Sequence, residues 1–311
     1  MNLNPQRGAK VHLKTGLIND IQIYERGVMM IKNRIQSDHG LMGPTHALSS
    51  VAFALLFTWL ASDIMFDKIL GSKNVVVFIS AMIIIVGASL MPDLDAVKST
   101  SINVLGFIGT GLSKSMRGFS TLVQGLIKGP YDKSSDPHRG FWHTLVAAFL
   151  VGLGVSGLTK IDIELFTIKS TSITFSTLIV MLLLYLSTQL ALSSLFKKVY
   201  DKHKNKIGKL GTNLGSFFFA GLLVYLLPSH LDYTWVGGAV IFGWVSHLLG
   251  DMMTVAGVPI LFPLKIKGKR WWDLRLPLGI KAGGFIEYSI LVPLFTIIAA
   301  ISLYNILPLF R

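Results

Sequence analysis

The chain alternates between long apolar blocks and shorter segments rich in polar and basic residues. Seven blocks are predicted as membrane spans, and they cover residues 46–62, 74–91, 143–159, 174–196, 214–229, 235–256 and 284–309. A helix crosses the hydrocarbon core of a bilayer with about 20 apolar residues, which several of these blocks supply. The pattern predicts an all-α fold, a polytopic membrane helical bundle of about seven transmembrane helices.

One further stretch, residues 101–127, is weakly amphipathic and rich in Gly and Ser. Its apolar residues recur between polar ones: Ile102, Val104, Leu105, Phe107, Ile108, Leu122, Leu126 and Ile127. A one-sided pattern of this kind is compatible with a helix that lies in the membrane interface rather than one that spans.

Composition places the chain outside the soluble class and restricts its chemistry. Hydrophobic residues make up 51% of the chain and charged residues 14%, with a mean hydropathy of +0.59. A soluble domain carries charge on about a quarter of its residues. Cysteine is absent, which excludes disulfides, thiolate metal ligands and cysteine nucleophiles. Any bound metal would therefore be held by His, Asp or Glu.

The positive charge is distributed in a way that predicts the topology. Lys and Arg form four groups of six, in residues 1–41, 92–142, 197–213 and 257–283, out of 29 in the chain. Seven spans that start inside the cell place every group on the cytoplasmic side, as the positive-inside rule expects. We predict a multi-pass protein of the cell (inner or plasma) membrane with a cytoplasmic N-terminus. Anionic lipids account for the charge, so a nucleic-acid partner is not favoured.

Two regions are predicted along the chain. Residues 1–41 form a polar basic tail without an apolar block, which we expect to be mobile, and no cleavable signal peptide is visible. Residues 42–311 form the membrane-embedded helical domain, and Met42 is an alternative start of translation. The sequence predicts no oligomeric state.

Polar residues that are unusual in membrane segments collect at the predicted cytoplasmic ends of four spans. They are His46, Asp93, Asp95, His138, Arg139, His143, His247 and Asp251. His247 and Asp251 lie four residues apart, which places both on one helix face and lets them chelate one ion. The alternative for this pair is a buried His–Asp hydrogen bond that orients a helix. His and carboxylate ligands together favour zinc, with manganese or iron as further options.

Three of these side chains, and Glu287 further along the chain, suggest roles in catalysis, metal binding or support. Arg139 has a planar guanidinium that matches phosphate, and Asp95 is a candidate ligand or general base. His138 is an additional candidate ligand. Glu287, at the start of the last apolar block, can pair with Lys281 or Arg275 or support the site.

Four motifs resemble the YdjM-type family of predicted membrane-bound metal-dependent hydrolases. They are Gly43-Pro-Thr-His46, Pro92-Asp-Leu-Asp95, His138-Arg-Gly-Phe-Trp-His-Thr144 and Ser246-His-Leu-Leu-Gly-Asp-Met-Met-Thr254, followed by Ala256-Gly-Val-Pro259. That family is in turn distantly similar to zinc-dependent phospholipase C and P1 nuclease. The resemblance implies a phosphoester hydrolase whose metal ligands are His46, Asp93, His143, His247 and Asp251.

The sequence therefore predicts a metal-dependent hydrolase, a phosphoesterase acting on a lipid phosphate or phospholipid at the cytoplasmic membrane face. Membrane lipids are the expected partners. A transporter is an alternative, although a carrier commonly has inverted repeats and a site near the bilayer midplane. A non-catalytic membrane protein with a structural metal is the other alternative, because the same residue types build both kinds of site.

The predicted topology can be tested by cysteine labelling, because the chain has no cysteine of its own. A Lys202→Cys variant should be labelled by a membrane-impermeant maleimide in inverted vesicles and not in intact cells. Labelling at this position in intact cells would contradict the cytoplasmic placement of the basic segments.

Overall fold

A computed structural model describes residues 42–96, 100–127, 140–168, 171–195, 206–228 and 231–310. The predicted tail at residues 1–41 and two of the predicted site residues, His138 and Arg139, lie outside the described residues. The predictions about them therefore stay predictions.

The described chain is mainly helical, which confirms the all-α prediction. Eight long helices follow one another: α1 (Gly43–Leu60), α2 (Val75–Ala88), α3 (Thr100–Ile127), α4 (Leu145–Leu158), α5 (Phe175–Leu195), α6 (Lys206–Leu226), α7 (Trp235–Met252) and α8 (Val292–Ile306). Short π-helical or 3-10 segments occupy Ile64–Leu70, Pro92–Asp95, Phe141–His143, Glu287–Leu291 and Leu307–Phe310. A small antiparallel hairpin pairs β1 (Glu164–Ile168) with β2 (Thr171–Thr174).

Each of the seven predicted spans overlaps one of these helices, although α6 begins before the predicted start of its span and α8 begins after it, and the predicted amphipathic stretch coincides with α3. Three segments are long and apolar enough to cross a membrane, namely Val75–Asp95, Phe175–Leu195 and Glu287–Phe310. A fourth is added if α1 and Ile64–Leu70, which are bent by 111°, form one broken span. Helices α4 and α6 are apolar but shorter. The number and direction of the crossings stay predictions.

Helix α7 lies at the centre of the packing and contacts α1, α2 and α4. Its approach to two neighbours is close enough to require glycine. A Cβ on Gly243 would lie 2.2 Å from the carbonyl oxygen of Ile85 in α2, and one on Gly237 would lie 2.3 Å from that of Gly152 in α4. Small residues commonly allow helices to pack this closely in membranes, where dispersion contacts replace much of the hydrophobic driving force.

The main core surrounds the middle of this helix group. Its larger buried side chains come mainly from α1, α2, α5 and α7 and from the π-helical segment Ile64–Leu70, and they include Leu55, Phe66, Ile84, Leu184, Trp244 and Leu248. The core holds the helices that carry the site in register, because interiors packed at this density adapt poorly to displaced backbones.

A Gly243→Ala variant should be less stable than the wild-type protein by about 1–3 kcal/mol, since the added methyl group overlaps the backbone of α2. Thermal unfolding in detergent would measure the change. Gly154→Ala is the matched control, because a Cβ at that position in α4 meets no atom within 4 Å. Equal melting temperatures for the two variants would show that the α2–α7 approach is not tight.

Candidate metal centre

The first contribution to the site comes from the start of α1. Pro44 occupies the first turn, where its fixed φ favours helix and its missing N–H costs no hydrogen bond. The buried carboxylate of Glu287 accepts hydrogen bonds from the backbone N–H groups of Met42 (2.7 Å) and Gly283 (2.6 Å). Glu287 thereby fixes the beginning of α1, and His46 follows one turn later.

The second contribution comes from the chain just after α2. Helix α2 ends at Ala88, and the 3-10 turn Pro92–Asp95 then presents two carboxylates. Asp95 is fully buried, whereas the side chain of Asp93 is 25% exposed.

The third contribution is a 3-10 turn that precedes α4 and ends in His143. The hydroxyl of Thr144 accepts a hydrogen bond from the N–H of Ala147 (3.1 Å) and donates one to the carbonyl of Phe141 (2.7 Å). The indole N–H of Trp142 donates to the carbonyl of Met116 in α3 (2.7 Å). These bonds cap α4 and fix the turn, so His143 enters the interior from a rigid base.

The fourth contribution is α7, whose residues His247 and Asp251 lie one turn apart on its buried face. The Nε2 atom of His247 lies 3.5 Å from Oδ2 of Asp251. This contact confirms the helical spacing on which the prediction of a chelating pair was based.

Two imidazole nitrogens and two carboxylate oxygens approach one another between these segments. Nε2 of His143 lies 3.8 Å from Oδ1 of Asp93 and 3.7 Å from Oδ2 of Asp251. Nε2 of His247 lies 3.7 Å from the same atom of Asp93. Four ligands arranged tetrahedrally around zinc would be about 3.4 Å apart, given metal–ligand bonds near 2.1 Å. The observed separations are therefore close to those of a metal site.

His46 supplies a fifth donor at the side of this group. Its Nε2 lies 3.1 Å from Oδ1 of Asp251, and its ring stacks on that of His247 with centroids 4.0 Å apart. The carboxylate of Asp251 thus has one oxygen towards His46 and the other towards His143 and His247. Such a carboxylate can bridge two ions or hold one ion while accepting a hydrogen bond.

The orientation of His247 is fixed from behind by the backbone of α2. Its Nδ1 lies 2.8 Å from the carbonyl oxygen of Ser89, to which an Nδ1–H can donate. Carbonyls at the end of a helix have no partner within the helix, so this one is available. Donation at Nδ1 leaves the lone pair of Nε2 directed at the two carboxylates, which is the arrangement of a metal-ligating imidazole.

Asp95 lies on the other side of the His143 ring. Its Oδ2 is 3.9 Å from Nδ1 of His143, whereas the carboxylate of Asp93 faces Nε2 of the same ring. This position is suited to orienting the imidazole and raising its basicity.

The arrangement fits a divalent cation. Among the described residues, the ionic contacts of Asp93 and Asp251 are with histidines, and no Lys or Arg pairs with either carboxylate. In the same part of the chain, the buried Nδ1 of His46 makes no hydrogen bond, and the Nε2 atoms of His46 and His247 lie 3.1 and 3.5 Å from the carboxylate of Asp251 without the geometry of a hydrogen bond. Buried carboxylates and imidazole lone pairs without partners are costly, and a cation between them offsets that cost.

The geometry brings together five of the six residues predicted as metal ligands. Two overlapping groups can each hold an ion, one formed by His46, His247 and Asp251 and the other by Asp93, His143 and His247. His247 belongs to both groups. Because its Nε2 atom can bind one ion at a time, only one of the two groups can use this ligand at once. All three histidines in the described part of the chain lie in this cluster.

Two supporting features were not expected from the sequence. The carbonyl of Ser89 is a backbone group, so no residue pattern indicates it. The sequence left open whether Glu287 pairs with Lys281 or Arg275 or supports the site, and the unexpected part is that its carboxylate binds two backbone N–H groups, those of Met42 and Gly283. Its position beside Gly283-Gly284 was the available signal, since glycine-rich turns expose such N–H groups.

The sequence profile of the YdjM inner membrane protein family matches residues 41–196 and 211–307. The chain belongs to this family. One curated relative, the uncharacterized protein YvsG of Bacillus subtilis (strain 168), is 30% identical over 79 residues, which are 25% of this chain and 46% of YvsG. The chain thus spans about half the length of that relative. No solved structure matches the chain.

Membership in the YdjM family confirms the resemblance predicted from the four motifs. The five clustered residues all lie within the matched ranges. A further similarity to phospholipase C and P1 nuclease stays a prediction, as do the identity of the metal and any catalytic activity.

Replacing His247 by Ala or Asp251 by Asn should remove bound metal from the purified protein, because each change removes a donor at the centre of the cluster. Elemental analysis of detergent-purified protein measures this. Ser246→Ala is the matched control: this buried hydroxyl is adjacent to His247 but donates to the carbonyl of Phe242 within α7 (2.8 Å). Wild-type metal content in both ligand variants would show that the cluster does not bind metal.

Proposed function

We propose that this YdjM-family protein is a metal-dependent phosphoesterase that acts on lipid phosphates at the cytoplasmic membrane face. The proposal combines a buried cluster of His and Asp donors with the membrane character of the family. Zinc is the metal we expect, because the donors are imidazole and carboxylate without thiolate.

One observation carries the catalytic part of the proposal: the cluster is closed on one side and open on the other. The side chains of His46, His143 and His247 have no exposed area, and that of Asp251 is 2% exposed. Asp93, the remaining donor, is 25% exposed. A structural metal is enclosed by its ligands, whereas a catalytic metal keeps one position accessible to water or substrate. Because water or substrate can reach the cluster next to Asp93, the arrangement favours a catalytic metal site over a structural one.

The residues divide the work of hydrolysis between them. A divalent metal held by these residues would supply Lewis acidity, which would make water more acidic and stabilise negative charge on the phosphoryl oxygens. His247, held by the carbonyl of Ser89, and His143, backed by Asp95, keep their Nε2 atoms in place without reorganisation. Asp93, at the open side, can accept the proton that water loses as it attacks phosphorus. The ester P–O bond breaks, and Asp93 can return that proton to the oxygen of the leaving alcohol.

A lipid substrate is favoured because several candidate spans place apolar surface next to the segments that carry the site. The candidate span Val75–Asp95 contains Asp93 near its carboxyl end. A donor cluster at the end of such a segment is accessible to a phosphate held at the membrane surface. Arg139 remains our candidate for binding that phosphate.

The proposal is tested by measuring phosphate release from phosphatidic acid in mixed micelles by the wild-type protein loaded with zinc or manganese. Asp251→Asn should abolish release, and Ser246→Ala should retain it. Activity that survives in Asp251→Asn would contradict the proposal. A protein that binds metal stoichiometrically but hydrolyses no phosphate ester, lipid or soluble, would instead support the structural-metal alternative.

Phosphate release measured together with metal affinity distinguishes two roles of Asp95. If this residue orients His143, Asp95→Asn should weaken metal affinity by about 10–100-fold, as is typical of partners behind a metal ligand. If Asp95 is the general base predicted from the sequence, activity should be lost while metal affinity stays at the wild-type level.

A further inference from the structure

Helix α3 carries its large apolar side chains on the outside. Five of them are between 40% and 77% exposed, and we call them the apolar stripe: Ile108, Leu112, Phe119, Leu122 and Leu126. Successive residues of an α-helix are about 100° apart, so the stripe fits within an arc of about 80°. It begins after Gly106, whose φ of 60° and ψ of −129° interrupt the helix.

A second face of α3 packs against the protein, and its buried side chains are small or flexible. They belong to Ser113, Met116 and Ser120, and Gly109, which has no side chain, is buried on the same face. The hydroxyl of Ser120 accepts a hydrogen bond from the N–H of Phe141 (3.1 Å), and the carbonyl of Met116 accepts one from the indole of Trp142 (2.7 Å). This face therefore binds the turn that carries His143.

A third face is polar and lies opposite the apolar stripe. Thr110, Lys114 and Thr121 are exposed, and Arg117 is half-buried. With about 100° between residues, this face is centred roughly 150° away from the centre of the stripe. The helix thus separates its large apolar, packed and basic residues into three directions, and the small Ser115 is the exposed polar residue within the arc of the stripe.

This separation indicates what covers the apolar stripe. A spanning helix would expose Lys114 and other polar side chains to hydrocarbon, which is costly. A helix that lies along a leaflet buries a narrow apolar face in the acyl region and keeps basic residues near the headgroups. Helix α3 also contacts α5, one of the helices long and apolar enough to cross a membrane. The lipid around α5 would therefore lie next to α3.

We propose that α3 lies in the plane of the membrane, with the apolar stripe in the acyl region and Lys114 facing the anionic headgroups. The partner of this surface is a lipid leaflet. Because α3 is hydrogen-bonded to the turn that ends in His143, the membrane surface then sets the level of the metal centre. This inference requires only a membrane protein and does not depend on hydrolysis.

The test uses single cysteines introduced into this cysteine-free chain, each carrying a nitroxide label. Leu122→Cys and Leu126→Cys probe the apolar stripe, and Thr121→Cys and Lys114→Cys probe the polar face. The full-length protein is reconstituted in vesicles of phosphatidylethanolamine and phosphatidylglycerol. Power saturation is then measured with oxygen, which partitions into lipid, and with a water-soluble nickel chelate.

At Leu122 and Leu126 oxygen should relax the label more strongly than nickel, and at Thr121 and Lys114 the order should be reversed. The adjacent pair 121 and 122 is the matched comparison. Stronger relaxation by nickel at the stripe would place it in water, and low access to both reagents would indicate cover by protein, such as a second copy. Oxygen dominance at all four positions would indicate a spanning helix. Each of these three results would overturn the proposal.

Discussion

Two carboxylates buried among imidazoles impose the constraint on which the centre of this structure depends. Asp251 is almost fully enclosed and Asp93 is partly so, and within the described part of the chain their ionic partners are His46, His143 and His247. Buried carboxylates are stable only when an opposite charge lies nearby and their oxygen lone pairs have hydrogen-bond donors or a cation to bind. A divalent cation satisfies both requirements, and four separate segments of the chain end where they can supply its ligands.

The close packing of α7 against α2 connects the fold to this centre. Gly243 allows the backbones to approach at Ile85, and one turn further along both helices the carbonyl of Ser89 reaches His247. A larger residue at 243 would separate the two helices and weaken the contact that orients the imidazole. The α2–α7 contact therefore determines both the packing of the bundle and the direction of one metal ligand.

Much of this arrangement could be predicted from the sequence because its signals are local. Apolar blocks of membrane length predict the helices, and the spacing of His247 and Asp251 predicts a shared helix face. What could not be predicted depends on tertiary contacts or on backbone atoms, such as the carbonyl of Ser89 and the two N–H groups bound by Glu287. The sequence also gave no indication that Asp95 lies behind His143 while Asp93 lies at the open side, since both occur in one short turn.

The assignment of this cluster as a metal centre is tested most directly by identifying the atoms around the bound ion. X-ray absorption at the metal edge of the purified protein should show only nitrogen and oxygen ligands, including at least two imidazoles, and no sulfur. His143→Ala should reduce the imidazole contribution by one ring or eliminate binding. A spectrum of a fully hydrated ion without imidazole scattering, or one unchanged in His143→Ala, would contradict the assignment of these residues as ligands.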